Sequence, residues 1–184
     1  MKVCSVEKLT DYKHLNLVSV AYKDRNGEDK SWIYASRGAA DRPDAVVIVP
    51  FHKQANRLVM IREFRVPLGG YQYGFPAGLV DPGETVAQAG ERELFEETGL
   101  GVDRILRQSP PIFSSSGMTD ESISLLYVEC GGEPGSEHNE ASEQIEVLMV
   151  SQADARALID RQDLLFDVKT WIVADRFAAT GQVL

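Results

Sequence analysis

The stretch of the chain that decides the fold runs from residue 78 to residue 100 and reads GLVDPGETVAQAGERELFEETGL. Its first part is a loop rich in glycine and proline, and its second part has the composition of a helix. The loop ends in Asp81-Pro82-Gly83-Glu84, which offers a capping side chain, a proline for the first turn and an acid three positions later. Because Gly99 offers a stop, the stretch predicts a helix over roughly residues 84–98.

The acidic residues of this helix are placed unfavourably for its stability. Glu93, Glu96 and Glu97 stand at positions i, i+3 and i+4, so they share one helical face. Like charges at this spacing destabilise a helix by roughly a few tenths of a kcal/mol per pair, and the helix dipole disfavours them near the C-terminal end. Two interpretations remain at this point: a solvated acidic face, or a site for a divalent cation.

Carboxylates without His or Cys partners favour a hard cation, Mg²⁺ or Mn²⁺. A zinc site has little support, because His14, His52 and His138 are scattered along the chain. Magnesium keeps part of its water shell and commonly takes further ligands from phosphate. A carboxylate helix joined to a glycine-rich loop therefore suggests metal-assisted chemistry on a phosphorylated substrate.

The same stretch, 78–100, resembles the Nudix box at every fixed position of that motif, so the chain is identified as a member of the Nudix hydrolase family. The resemblance implies an α/β fold, the Nudix α/β/α sandwich, with the box as a loop–helix–loop. It also implies hydrolysis of a nucleoside diphosphate that is linked to another group.

The resemblance also assigns roles within and beside the box. It implies that metal ligands come from the helix face and from the backbone carbonyl just before the box: Glu93, Glu96, Glu97 and Ala77. Glu97 is counted among the catalytic residues as well. Arg92 and Glu84 are expected to orient the ligand carboxylates rather than to bind the ion.

The flanks of the box narrow the substrate. Glu63–Pro67 and Tyr73–Gly78 resemble segments of ADP-ribose and sugar-nucleotide pyrophosphatases, although Gly74 stands where many relatives have an acid. Downstream, Ser115–Glu121 resembles an element of ADP-ribose pyrophosphatases, with Ser116 in place of a proline. The resemblance therefore implies ADP-ribose or a related nucleoside diphosphate sugar as substrate.

An anionic substrate needs cationic and aromatic partners in an acidic protein. The resemblance implies substrate-binding roles for Arg37, Arg65, Gly117 and Glu121, with Arg62 as a weaker candidate. Trp32 or Tyr34 is a candidate to stack on the base, the alternative being an ordinary aromatic of the core.

The general base is expected in the loop 137–145, where ADP-ribose pyrophosphatases bring in a mobile glutamate. Glu143 is the best positional match, and Glu140 is the runner-up or a helper. A loop carboxylate suits this role, because glutamates saturated by metal are poor proton acceptors. The alternative is a solvated acidic loop.

The rest of the chain predicts an N-terminal antiparallel β-hairpin, from 15–22 and 31–36 around the turn signal Asp24–Gly27. Further strands are predicted at 45–51, 57–65, 123–128 and 146–150, and helices at 151–159 and 168–178. The predicted organisation is a dimer-forming hairpin over 1–40 and a Nudix domain over 41–184. Since dimers of this subgroup often exchange N-terminal strands, a homodimer is expected.

Composition sets the outer limits. The 184 residues carry 19 Lys and Arg against 28 Asp and Glu, a net charge of -9, which argues against a nucleic-acid partner. No apolar run is long enough for a membrane span, and the first residues lack a secretory core, so a cytoplasmic enzyme is expected. The rival functions are hydrolysis of GDP-mannose, another nucleotide sugar or NADH, and nucleotide sensing without catalysis.

Overall fold

The computed structural model describes residues 1–38, 43–137, 139 and 144–184. Its helices are α1 (Val86–Thr98), α2 (Gln152–Ile159) and α3 (Val168–Thr180), with a short 3-10 helix at Val66–Leu68. The strands within these residues are β1 (Lys2–Lys8), β2 (Asn16–Lys23), β3 (Asp29–Ser36), β4 (Ala45–His52), β5 (Arg57–Arg65), β6 (Gly70–Gly74), β7 (Ala77–Leu79), β8 (Gly101–Gln108), β9 (Ile112–Phe113), β10 (Ser122–Gly131), β11 (Ile145–Val150) and β12 (Leu165–Phe166).

The chain divides into two compact units. The first unit consists of Met1–Asp44 and Pro111–Ile123, and the second of Ala45–Pro110 and Ser124–Leu184. The first unit therefore includes residues 111–123, which the predicted segment 1–40 does not contain. Strand β10 begins in the first unit and continues in the second.

The first unit is built on an antiparallel sheet in the order β1-β2-β3. The predicted hairpin is confirmed: β2 and β3 pair from Asn16↔Ser36 to Lys23↔Asp29. Its turn forms because Gly27 adopts a φ of 82° and Asp24 accepts backbone N–H bonds from residues 26 and 28. Strand β1 extends the hairpin to three strands, and it escaped prediction because every one of its residues is exposed.

The second unit contains a mixed sheet with the strand order β12-β6-β5-β4-β10-β8, in which β11 also pairs with β5 and β7 with β4. Strand β4 is buried on both faces. Val46 and Ile48 lie in one apolar core with Ala89 and Leu94 of α1, whereas Phe51, of opposite parity, contacts a phenylalanine of α3. Helices thus cover both faces of the sheet, as the predicted α/β/α sandwich requires.

Helix α1 lies where it was predicted, but its cap is different. Thr85, not Asp81, is the N-cap, and it forms a capping box with Gln88. The helix ends as predicted at Gly99, which adopts a left-handed φ of 71°. The Asp81 N–H instead donates to the Glu84 carboxylate, which closes the turn before the helix.

The glycine-rich segment before α1 is more regular than its composition suggests. It forms the 3-10 turn and the short strands β6 and β7, because edge pairing with β5 and β4 supplies hydrogen-bond partners that local sequence does not reveal. Strand β8 was also absent from the prediction. No helix among the described residues combines the length and apolarity that crossing a membrane requires.

We expect a substitution of Gly90 by Ala to destabilise the fold, because a Cβ there would lie 2.4 Å from Leu126 Cδ2 in the core below α1. Overpacking costs roughly 1–3 kcal/mol, and the better helix propensity of alanine returns up to about 1 kcal/mol. Urea unfolding should show a net loss of about 1–2 kcal/mol at an unchanged m-value. Gly101→Ala, where a Cβ meets nothing within 4 Å, is the matched control; equal stability of the two variants would contradict the packing.

Candidate functional site

A cavity of about 260 Å³ lies beside α1 in the second unit. One wall is the loop and strand that precede the helix, and the other is the acidic helix face. The lining residues are Ala77, Gly78, Leu79, Asp81, Arg92, Glu93, Glu96 and Glu97. The structure thus brings together all four residues predicted as metal ligands, and it adds the carboxylate of Asp81, a predicted helix cap.

Arg92 lies at the centre of this acidic group. Its Nε and Nη2 donate to the two oxygens of Glu84, each over 3.0 Å. Its Nη1 donates to Glu93 over 2.7 Å and to Glu96 over 3.1 Å, and Nη2 also reaches the carbonyl oxygen of Leu79 over 3.1 Å. One planar guanidinium therefore ties the helix face to the loop in front of it.

These hydrogen bonds shift the pKa values of Glu84 and Arg92. The hydrogen bond with Arg92, and after it the backbone N–H of Asp81, hold the pKa of the Glu84 carboxyl below its usual value. The bond to Glu84 in turn raises the pKa of Arg92 above its already high value, with Glu93 and Glu96 adding to the effect. Arg92 is therefore a permanent cation between carboxylates that would otherwise repel one another.

Glu97 is the most deeply buried carboxylate of the cavity, with 5% of its surface exposed. Its Oε2 accepts the backbone N–H of Ala77 over 3.3 Å. Ala77 begins β7, which is held in place by antiparallel pairing with β4. The end of the helix face and the backbone just before the box are thus joined directly.

Gly78 allows a close approach of the Glu93 carboxylate to the strand backbone. A Cβ built on Gly78 would lie 1.8 Å from Glu93 Oε1, well inside van der Waals contact. A side chain at this position would force the Glu93 carboxylate to move away from the strand backbone.

The donor types suit a hard divalent ion: three glutamates and a backbone carbonyl line one cavity. In the present conformation, however, no three Asp, Glu, His or Cys side chains within 1–38, 43–137, 139 and 144–184 converge as a ready-made ion cage. Glu93 and Glu96 point their oxygens at Arg92. The residues fit such an ion if these two side chains turn from Arg92 toward it.

Four of the predicted substrate-binding residues lie in the first unit. Arg37 Nε donates to Glu121 over 3.4 Å, and the Trp32 indole N–H donates to the carbonyl oxygen of Gly117 over 3.2 Å. Trp32 and Tyr34 also line a largely apolar cavity of about 350 Å³, whose other lining residues are Val20, Phe113, Ser116, Thr119 and Asp120. The structure therefore joins these four predicted residues in two pairs, one at the middle of β3 and one just after its end.

The remaining candidates belong to the second unit or lie outside the described residues. Arg65, at the end of β5, pairs with Glu63 on its own strand over 2.9 Å. Arg62 packs its guanidinium 4.0 Å above the Tyr71 ring, and it also pairs with the carboxylate of residue 146. The predicted bases, Glu140 and Glu143, lie outside the described residues.

Comparison with known proteins agrees with the motif. The family model described as NUDIX domain matches residues 41–168. An ADP-ribose pyrophosphatase of Saccharomyces cerevisiae is 33% identical over 67% of this chain and 56% of its own length. The ADP compounds hydrolase NudE of Escherichia coli is 35% identical over 61% of each chain, and an ADP-sugar pyrophosphatase of Mus musculus is 26% identical over 71% of this chain and 62% of its own.

The chain thus spans between 56% and 62% of the length of these three relatives. Among solved structures, that of an ADP compounds hydrolase matches with a TM-score of 0.73 and covers 100% of this chain and 96% of the other. At 22% identity this likeness shows the fold.

We expect Gly78→Ala to weaken divalent-ion binding, because the added methyl group enters the cavity wall beside Glu93 and restricts the positions that its carboxylate can take. A perturbed ligand of this kind should cost about 10- to 100-fold in affinity. Titration with Mn²⁺, followed by the electron paramagnetic resonance of the free ion, measures this directly. Gly101→Ala again serves as the control, and Mn²⁺ affinity equal to wild type in Gly78→Ala would contradict the assigned role of Gly78.

Proposed function

The chain belongs to the Nudix hydrolase family, and from this membership we propose that it hydrolyses the diphosphate of ADP-ribose or a related nucleoside diphosphate sugar. The products would be a nucleoside monophosphate and a sugar phosphate, AMP and ribose 5-phosphate in the case of ADP-ribose. The observation that carries the proposal is the cavity in which Glu93, Glu96 and Glu97 meet the backbone at Ala77 and Gly78. The choice of substrate is supported by the three relatives, whose names all refer to ADP or to an ADP-sugar.

The cofactor in this proposal is Mg²⁺, with Mn²⁺ as the alternative, held by Glu93, Glu96, Glu97 and the carbonyl of Ala77. When bound, such an ion would neutralise diphosphate charge and make a coordinated water more acidic. The chain's own residues hold the face of the helix that carries these oxygens. Arg92 and Glu84 tie the helix to the loop before it, and the Ala77 N–H holds the buried Glu97.

The substrate in this proposal is bound by cations and by an aromatic surface. Arg37 and Arg65 would contact its anionic groups, because a guanidinium fork matches phosphate oxygens in pairs. Trp32 would stack on the base, and its ring is held for this by the hydrogen bond to Gly117. Glu121 would act together with Arg37, to which it is hydrogen-bonded.

A hydrolytic water also needs a proton acceptor. We assign that role to Glu143, with Glu140 as the alternative or as a helper, on the resemblance of their loop to that of ADP-ribose pyrophosphatases. A carboxylate outside the ion's ligand set remains able to accept a proton, whereas the coordinated helix glutamates do not.

The proposal includes a homodimer. One face of the β1–β3 sheet carries Val6, Val20 and Trp32, which lie side by side in the strand register. Val6 is 62% and Trp32 52% exposed in the single chain, and Val3 on the same face is 62% exposed. A contiguous apolar face of this kind is typical of a surface that another protein covers.

The proposed setting is the cytoplasm, with a small molecule rather than nucleic acid or a membrane as partner. The two cysteines, Cys4 and Cys130, are free thiols, which suits a reducing compartment. The net charge of -9 disfavours association with polyanionic polymers.

The proposed activity is tested by Glu97→Gln, which removes the negative charge of the buried metal ligand while keeping the size of the side chain. With ADP-ribose at saturating Mg²⁺, the turnover number should fall at least about 100-fold. Glu91→Gln, an exposed glutamate on the same helix, is the matched control and should behave as wild type. Hydrolysis by Glu97→Gln at the wild-type rate would refute the metal site.

The substrate is tested with a panel of ADP-ribose, UDP-glucose, GDP-mannose and NADH, with products identified by chromatography. Release of AMP and ribose 5-phosphate from ADP-ribose is the expected result. Activity on GDP-mannose alone would refute the substrate, and nucleotide binding without turnover of any compound would favour a sensing role.

The dimer is tested by placing a charge on the apolar face with Val6→Glu. Light scattering after size exclusion should show a dimer for wild type and a monomer for this variant, because a buried unpaired carboxylate is costly. Ile33→Glu, at a position 57% exposed on the opposite face of β3, should leave the dimer intact. A monomer in Ile33→Glu alone would place the interface on the other face.

A further inference from the structure

The C-terminal end of β3 is joined to a turn that lies far away in the sequence. The Ala35 N–H donates to the carbonyl oxygen of Met118 over 2.8 Å, and Ala35 forms an isolated parallel bridge with Thr119. The turn is itself closed by bonds from the N–H groups of Met118 and Thr119 to the carbonyl oxygen of Ser115. Backbone pairing thus holds Ala35, two residues before Arg37, against this turn.

Ser36 adds a side-chain link at the next position. Its hydroxyl donates to Asp120 Oδ2 over 2.8 Å and accepts the N–H of Gly38 over 3.0 Å. Ser36 is buried, with 5% of its surface exposed. Gly38 adopts a φ of 109°, a conformation that favours glycine, so the chain turns sharply just after Arg37.

Arg37 lies between these two fixed neighbours. Its Nε donates to Glu121 over 3.4 Å, and Glu121 directly follows Asp120. A contact through Nε leaves the two terminal nitrogens of a guanidinium, which form an edge that can bind phosphate oxygens in pairs. Two adjacent carboxylates of one turn thus act on one arginine, one through Ser36 and one directly.

We propose that Ser36 and Asp120 are positioning residues for Arg37, which fix its backbone so that its guanidinium is presented to the anionic part of the substrate. This inference rests on the proposed function, in which Arg37 binds substrate. A flexible arginine loses conformational freedom when it binds, and a pre-ordered one loses less. The Ser36–Asp120 bond reduces that loss before substrate arrives.

The first test is kinetic. Ser36→Ala should raise the KM for ADP-ribose by up to about tenfold, the equivalent of ordering one long side chain, while kcat changes less than about twofold. In an Arg37→Ala background the same substitution should have no further effect on KM, because the two residues act as one unit. Ser31→Ala, an exposed serine on the same strand, is the matched control.

Asp120 supplies an independent pair of variants. Asp120→Ala removes the acceptor for the Ser36 hydroxyl and should raise KM as Ser36→Ala does. Asp120→Asn keeps an acceptor oxygen and should lie closer to wild type. Melting temperatures measured beside the kinetics identify any variant that fails to fold. If Ser36→Ala fails to fold, the comparison of Asp120→Ala with Asp120→Asn tests the positioning role.

A second readout does not depend on activity. The Nε–H resonance of Arg37 in a ¹⁵N spectrum is identified by its absence from Arg37→Lys, and it should shift or broaden in Ser36→Ala but not in Ser31→Ala. If wild type hydrolyses no ADP-ribose, the proposed function fails and this spectrum alone decides the inference. An unchanged Arg37 resonance in Ser36→Ala, or additive effects on KM in the double variant, would overturn it.

Discussion

The contact between Arg92 and three carboxylates is the interaction on which the site depends. Helix α1 carries acids at spacings that repel, near the end where the helix dipole disfavours negative charge. One guanidinium offsets this by bonding Glu84, Glu93 and Glu96 at distances of 2.7–3.1 Å. It also reaches the backbone of the preceding loop at Leu79. The acidic face can therefore be assembled on a stable helix before any cation is present.

The fold was largely predictable where local chemistry and long-range packing agree. The Gly99 stop and the alternation of the hairpin strands β2 and β3 are local signals, and the structure follows them. Strand β1 was missed because none of its residues is buried, and β7 because a three-residue strand depends on its partner. The N-cap is Thr85 and not Asp81, because the side chains of Thr85 and Gln88 each accept a backbone N–H of the first turn.

The site was predictable in composition but not in its supporting contacts. The Nudix box predicts the glutamates of the site, since their spacing places them on one face of the helix. The N–H of Ala77 on Glu97, the space that Gly78 leaves for Glu93, and the bond from Ser36 to Asp120 join residues separated by 15–84 positions. Such contacts come from strand pairing and loop closure, so no local pattern announces them. Part of the chain's excess of acidic residues is the glutamate cluster of this cavity, and part is ordinary surface.

The division of the chain has a consequence for how its parts can be exchanged. Residues 111–123 belong to the first unit although both of their flanks in the sequence belong to the second. The N-terminal sheet is therefore not a detachable appendage, since its removal would strip Thr119 and Asp120 of their partners at Ala35 and Ser36. Grafting this sheet onto a related enzyme would require the internal segment to travel with it. Substitutions in the N-terminal sheet and in residues 111–123 should accordingly occur together in related proteins.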